Sequence, residues 1–254
     1  MFSADLELPF DRLNEEFLRI LIGVYNKIHL PLFDFLSIGR KNMSCCQCQA
    51  IEEFHNQKVV SQELSRYREK GPVGPTQDLI EAIQKEGIQG LTLIDIGGGV
   101  GAIQHALLQT GADHAIDVEA SNAFIQAAQE EAGRRNLTDR ITHLYGNFVD
   151  FAENVSPADI VTLDKVICCY PDMEGLVELS SERARKIYGL VYPYDTWYNR
   201  IFEVLENIFF KITRNPFRVF VHSHQAVEAI LTRKGFKQRF FHHGFLWQVA
   251  VYTR

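Results

Sequence analysis

The first 70 residues carry a helical rhythm. Phe10, Leu13, Phe17, Leu18, Leu21 and Tyr25 recur at three- and four-residue spacing, which puts them on one apolar face of a helix. Pro31 and the region of Gly39 interrupt that rhythm, and a second helix is expected over 51–68. Gly71-Pro72-Val73-Gly74-Pro75 is turn chemistry, after which Thr76 is placed to cap a helix through Lys85, with Asp78 in its first turn. From residue 90 the texture changes. Short apolar runs without alternation cover 91–96, 114–118, 141–145, 159–163 and 187–192, and helical patterns cover 102–109, 122–135 and 176–185. Such strands alternating with helices predict a parallel sheet covered on both faces. The end of the chain differs: a helix over 225–234 stops at Gly235, and two β-rich runs, 236–242 and 246–253, are expected to pair antiparallel across His243-Gly244. Residues 193–221 fit no α/β repeat and read as an insertion. Most of it is one helix, about 196–213, with a stripe of Ile201, Leu205, Ile208 and Ile212 widened by Phe202, Phe209 and Phe210.

The expected organisation is therefore a helical extension over 1–70 and an α/β domain over 71–254 with 193–221 inserted. Arg200, Glu203, Glu206 and Lys211 on the inserted helix exclude a membrane span. Three uses of that helix remain open: packing against residues 10–25, a lid over an apolar aromatic substrate (Trp197 and Phe202 being the side chains to test), or an interfacial face on which a homodimer forms.

The most informative stretch is Leu93-Ile-Asp-Ile-Gly-Gly-Gly-Val-Gly101, an apolar strand running through four glycines into a helix. Glycine lets a ligand approach the backbone, and the helix N-terminus presents free N–H groups and a positive dipole end. Two ligand classes compete. Gly97-x-Gly99-x-x-Ala102 with Glu119 satisfies a loose dinucleotide pattern, which keeps a nicotinamide- or flavin-dependent oxidoreductase in view. Asp95 argues against it, because a carboxylate before the loop repels a pyrophosphate and attracts an ammonium group.

Asp95-x-Gly97-x-Gly99-x-Gly101 resembles the first motif of the class I S-adenosylmethionine (SAM)-dependent methyltransferases, and the resemblance runs from about residue 65 to the end. It implies a Rossmann-like seven-stranded sheet, mostly parallel with an antiparallel C-terminal pair. It also implies that Asp95, Gly97, Gly98, Gly99 and Gly101 wrap the methionine part of SAM. Glu119-Ala-Ser-Asn resembles the second motif, implying that Glu119 accepts the ribose hydroxyls. Gly146-Asn147-Phe148 resembles the segment that brackets adenine, with Asn147 where Asp is commoner. Asp159-Ile-Val-Thr-Leu-Asp164 resembles strand four, whose end, at Asp164, passes the reacting methyl. A weaker likeness, to small-molecule methyltransferases of the magnesium-protoporphyrin and ubiquinone-pathway kind, rests on Asp164-Lys-Val-Ile-Cys-Cys-Tyr-Pro171, on His222 before a helix ending Lys234-Gly-Phe236, and on Tyr67 through Gly71, which implies a cofactor contact for Tyr67. Tyr170 and His222 are the candidate catalytic residues: an aromatic ring suits a sulfonium cation, and imidazole suits proton removal near neutral pH.

Composition changes this picture little. Of 254 residues, 26 are Lys or Arg and 32 are Asp or Glu, and the formal charge of −6 argues against a large nucleic-acid footprint. Cys45-Cys46-Gln-Cys48 contains one C-x-x-C, but no second exists to complete a tetrahedral metal site, so no metal is expected. Cys168 and Cys169 are expected to point different ways, one of them into the core. No signal peptide or spanning segment is read, and a cytoplasmic location is expected. The function expected is methyl transfer from SAM to a small, apolar or aromatic acceptor, with a non-catalytic SAM-binding or partner-binding protein as the alternative of a different class.

Overall fold

The computed structural model describes residues 50–254, residue 53 excepted, all within one structural unit, Met43–Arg254. The apolar stripe of 10–25, the breaks at Pro31 and Gly39, and Cys45, Cys46 and Cys48 lie outside the described residues.

A seven-stranded sheet has the order β3-β2-β1-β4-β5-β7-β6. Its strands are β1 (Leu93–Ile96), β2 (Ala115–Glu119), β3 (Ile141–Tyr145), β4 (Ala158–Asp164), β5 (Ala184–Pro193), β6 (Lys237–His243) and β7 (Trp247–Thr253). The first five are parallel, and β7 inserts antiparallel between β5 and β6. This is the sheet expected from the sequence. The helices are α1 (Gln57–Lys70), α2 (Pro75–Lys85), α3 (Ala102–Gln109), α4 (Asn122–Arg134), α5 (Phe148–Phe151), α6 (Met173–Arg183), α7 (Trp197–Ile212) and α8 (His224–Arg233).

Two apolar clusters cover the two faces. Leu79 and Ile83 of α2 and Ile103, Leu107 and Leu108 of α3 meet Leu93, Ile160, Ile187 and Val251 on one face. On the other, Met173, Leu176 and Val177 of α6 and Val227, Ile230 and Leu231 of α8 meet Ile94, Val161, Tyr188 and Tyr252. A sheet sealed on both sides explains why its strands read as unbroken apolar runs. The strand order reverses direction between β1 and β4, so their C-terminal ends open the crevice where such sheets bind ligands.

Several boundaries differ from the sequence reading for local reasons. The helix expected over 51–68 is broken at His55 and Asn56: residues 50–52 and 54 are helical, and a second helix starts at Gln57, where the Asn56 side chain accepts from the N–H groups of Lys58 and Val59 and caps it. Thr76 does not cap α2. Pro75 occupies the first turn with Gly74 as N-cap, which frees the Thr76 hydroxyl to donate to Asp164 at 2.6 Å. Cys168 is buried as expected, but the two thiols do not diverge: both Sγ atoms approach the Lys165 carbonyl, at 3.3 and 3.7 Å. Among the described residues no helix is long and apolar enough to cross a membrane.

The inserted helix forms as expected, with Thr196 as its N-cap. Its apolar stripe, however, faces outward: Ile201, Leu205 and Ile208 are about half exposed, and Ile212 is 75% exposed. Two kinds of contact hold α7 down: Phe210 is buried against Phe54 and Phe217, and polar side chains bond across to neighbouring loops. Asn199 is buried and donates to the carbonyls of Tyr194 at 2.7 Å and Leu246 at 3.2 Å, and Asn207 exchanges hydrogen bonds with Val219. Asn199→Ala removes the shortest donor to the Tyr194 carbonyl, which keeps only the Thr196 hydroxyl at 3.5 Å, while the Leu246 carbonyl keeps the Tyr194 N–H at 2.9 Å, and a weakened carbonyl of this kind costs about 1–3 kcal/mol. The expected result is a fall of that order in unfolding free energy by denaturant titration. An unchanged midpoint would show that those remaining donors suffice.

Candidate active site

The glycine loop leaves β1 at Ile96 and enters α3 with Gly101 as N-cap, in the left-handed region. Its glycines have different reasons to be glycine. A Cβ on Gly97, Gly98 or Gly101 would strike Val166, Asp117 or His105 within 2.5 Å, so these three are hemmed in by the protein. A Cβ on Gly99 would meet only the Phe124 ring, at 4.0 Å. Gly99 therefore shows the loop's open side, where a ligand can lie against bare backbone.

Glu119 closes the end of β2 beside that opening. Its Oε2 accepts from the Gly99 N–H at 3.1 Å and its Oε1 from the Ser121 N–H at 2.8 Å. Burial, reinforced by the neighbouring Asp117, pushes its carboxyl up to about 7. Each oxygen keeps lone-pair capacity for one further donor.

Asn147 follows β3 as the N-cap of α5. Its Nδ2 donates to Asp150 Oδ1 at 3.1 Å and to the Tyr170 hydroxyl at 3.3 Å. A carboxylate can only accept, so this assigns the amide nitrogen and turns Oδ1 into the accepting side. Phe148 is 3% exposed and sits in the core beneath α5, so it backs the segment and does not line the crevice.

Asp164 ends β4. Its Oδ2 accepts from Thr76, and Lys165 Nζ lies 3.5 Å from its Oδ1 and donates to the Thr76 hydroxyl at 3.0 Å. Lys165 holds a left-handed backbone with φ of 60°, a strained conformation for a residue with a side chain. Sequence reasoning missed Lys165, whose ammonium also lies over the Trp247 ring at 5.6 Å.

Asp95 and Tyr67 stand where the sequence put them in the chain, but not as expected in their surroundings. Asp95 lies sealed beneath the loop, 1% exposed, with Thr162 Oγ1 donating to Oδ1 at 2.7 Å. Burial pushes its carboxyl well above the usual range, so it does not present a free anion to an ammonium. The Tyr67 hydroxyl lies 3.4 Å from His105 Nδ1, and its ring packs with Val100 of the loop and Phe124, so it braces the loop from behind.

Tyr170 and His222, distant in sequence, are brought together: His222 Nε2 donates to the Tyr170 carbonyl at 3.0 Å. A carbonyl only accepts, so Nε2 carries the hydrogen and Nδ1 is the basic atom. Burial lowers the His222 pKa and keeps it neutral at pH 7, with Glu203 and Arg200 of α7 acting on it in opposite senses. Through Asn147, the Tyr170 hydroxyl ties this pair to the segment after β3.

Residues 69–182 match the O-methyltransferase domain family. The chain is 30% identical over 128 residues to a ribosomal protein L11 methyltransferase of Photorhabdus laumondii, a match that spans 47% of this chain and 43% of that relative. Its fold is similar to that of magnesium protoporphyrin IX methyltransferase from Synechocystis PCC 6803 solved with bound SAH, at a TM-score of 0.56 and 16% identity over 96% of this chain and 99% of the other. It is also similar to an O-methyltransferase family protein from Burkholderia thailandensis, at a TM-score of 0.60 and 13% identity over 79% and 61% of the two chains. The O-methyltransferase domain match over 69–182 covers the glycine loop, Glu119, Asn147 and Asp164, and the chain around it has the fold of these solved methyltransferases.

Proposed function

We propose that this protein binds SAM across the C-terminal ends of β1 to β4 and transfers its methyl group to a small acceptor. The observation that carries this reading is the pairing of an open Gly99 with Glu119 beside it, each Glu119 oxygen holding one N–H and having room for one hydroxyl. A nicotinamide enzyme would extend the sheet with further parallel strands; here β7 turns antiparallel against β5.

The residues present suit the ligand. Gly99 and the N-terminus of α3 would hold its methionine part, Glu119 its ribose, and Asn147 Oδ1 an exocyclic amine. SAM supplies a methyl already activated on a sulfonium, so the protein's part is alignment and exclusion of water. Tyr170 borders the place where acceptor and methyl meet, and His222 Nδ1 takes the proton when the acceptor is a hydroxyl. The inserted helix α7, whose Arg200 and Glu203 act on His222, closes the acceptor side as a lid. An apolar or aromatic acceptor fits the rings grouped at that end of β5, where Tyr194 stacks on His243 at 4.3 Å and His224 lies 4.8 Å from Phe241.

Calorimetry with SAM and NAD tests the ligand, and a screen of small acceptors with labelled SAM tests the reaction. Binding of NAD and not SAM would sink the reading. The Glu119 carboxyl gives a sharper check. Its folded pKa, about 7, lies above its ordinary value. Its share of the fold's stability is therefore present at acid pH and lost as pH rises through 7, while its capacity to accept two hydroxyls grows over the same interval. SAM affinity is expected to rise up to about tenfold from pH 6 to 8, and Glu119→Gln to flatten that rise. The same slope in Glu119→Gln would place the titrating group elsewhere.

A further inference from the structure

Beneath the glycine loop runs a line of polar side chains for which cofactor contacts give no reason. β3, β2, β1 and β4 are in register at His143, Asp117, Asp95 and Thr162, so these four side chains stand abreast on the face covered by α3. The outer members bond inward: Thr162 Oγ1 donates to Asp95 Oδ1, and His143 Nδ1 lies beside Asp117 Oδ2, both at 2.7 Å. The inner oxygens, Asp95 Oδ2 and Asp117 Oδ1, are sealed from solvent with no hydrogen-bond donor. Both surround one point. A Cβ on Gly98 would stand 3.1 Å from the first, 2.4 Å from the second and 3.0 Å from Nε2 of the fully buried Gln104.

Two carboxylates side by side out of water do not both ionise. A proton held between the inner oxygens makes one a donor and the other its acceptor, and satisfies both atoms at once. Burial and then Asp117 push the Asp95 carboxyl upward; Asp164 and Glu119 add to this and Thr162 opposes it. The other titratable groups around the pair are His143 on β3 and His105 on α3, the latter held neutral by burial with a pKa of about 4.

We infer that Asp95 and Asp117 hold one proton between them and act as a single buried anion beneath the glycine loop, a positioning pair that sets the charge against which a cationic ligand binds. The shared proton stands on this geometry alone; the identity of the ligand rests on the methyltransferase reading. SAM carries a sulfonium cation where S-adenosylhomocysteine (SAH) has a neutral thioether, so the anion favours the substrate form of the cofactor over its product.

The proton is tested on the full chain by infrared spectroscopy at pH 9, where Glu119 is ionised. The wild-type protein should show the carbonyl band of one protonated carboxyl. Asp117→Asn should lose it, because the new amide donates to Asp95 and lets it ionise. Absence of the band in the wild type, or its survival in Asp117→Asn, overturns the shared proton. If that variant does not fold, titration of the wild-type band decides, since a shared proton must persist through pH 9. The charge is tested by calorimetry with SAM and SAH. Replacing both residues (Asp95→Asn with Asp117→Asn) should weaken SAM at least tenfold more than SAH, while Asp117→Asn alone weakens both by the same factor. Equal losses in the double variant overturn the charge role. Wild-type protein that binds neither ligand would mean that the methyltransferase reading has failed, and the infrared result would still stand on its own.

Discussion

Gly99→Val is expected to abolish SAM binding in a protein that still folds. The position has two properties that act together. Its φ is +56°, which costs a residue with a Cβ about 1–2 kcal/mol and a β-branched one more. Its Cβ direction is open, with only the Phe124 ring within 4.0 Å, so the fold accommodates a side chain that the ligand cannot share. The backbone cost is separable from the steric one. Gly87 has a φ of +79° and nothing within 4 Å of its Cβ direction, far along the chain from the loop. Gly87→Ala should lower the melting midpoint modestly and leave SAM affinity intact, whereas Gly99→Val should lose binding below calorimetric detection. Tight SAM binding by folded Gly99→Val would remove the ligand from the glycine loop.

What the sequence made legible follows from which signals are local. The sheet was readable because both of its faces are covered, which leaves apolar runs without alternation such as 187–192 between amphipathic helices. The antiparallel end was readable from the short turn at His243-Gly244. Orientation was less legible. Ile201, Leu205, Ile208 and Ile212 give a helical stripe, but periodicity does not say which side of a helix meets the domain; Asn199, bonded to carbonyls 5 and 47 positions away, and Phe210, packed on Phe54 and Phe217, decide it. Asp95 was read as an anion facing the ligand, because its neighbours in space, Asp117 and Thr162, come from other strands and change its charge. The signal that could have found Asp117 was present all the same: in Ala-Ile-Asp-Val-Glu a carboxylate stands inside a strand buried on both faces, a position held only at cost unless something pairs with it. Lys165 and the approach of His222 to Tyr170 leave no such mark, since a left-handed φ and a contact across 52 positions are products of the fold.

His222→Ala should lower kcat at least 100-fold with a hydroxyl acceptor, with SAM affinity preserved, since general-base help is typically worth 10²–10⁴-fold. The bond from Nε2 to the Tyr170 carbonyl puts the hydrogen on Nε2, and burial keeps the ring neutral at pH 7 against the Tyr170 and Ile167 carbonyls, which favour its charged form. The same bond gives the imidazole a structural task, so alanine alone does not separate the two roles. His222→Gln does: its amide can still donate to the Tyr170 carbonyl but takes no proton at neutral pH. If His222 is the base, His222→Gln should be as slow as His222→Ala while melting close to wild type, and Tyr170→Phe should show what the hydroxyl adds beyond the ring. The pH profile follows from the direction of the shift. The neutral form is the active one and the folded pKa lies below the ordinary histidine value, so kcat should be flat above about pH 6.5 and fall only as the medium becomes more acid. That acid limb should vanish in His222→Gln. Near-native kcat in both His222→Gln and Tyr170→Phe would mean that alignment of acceptor and methyl is sufficient, and that the proton leaves by solvent.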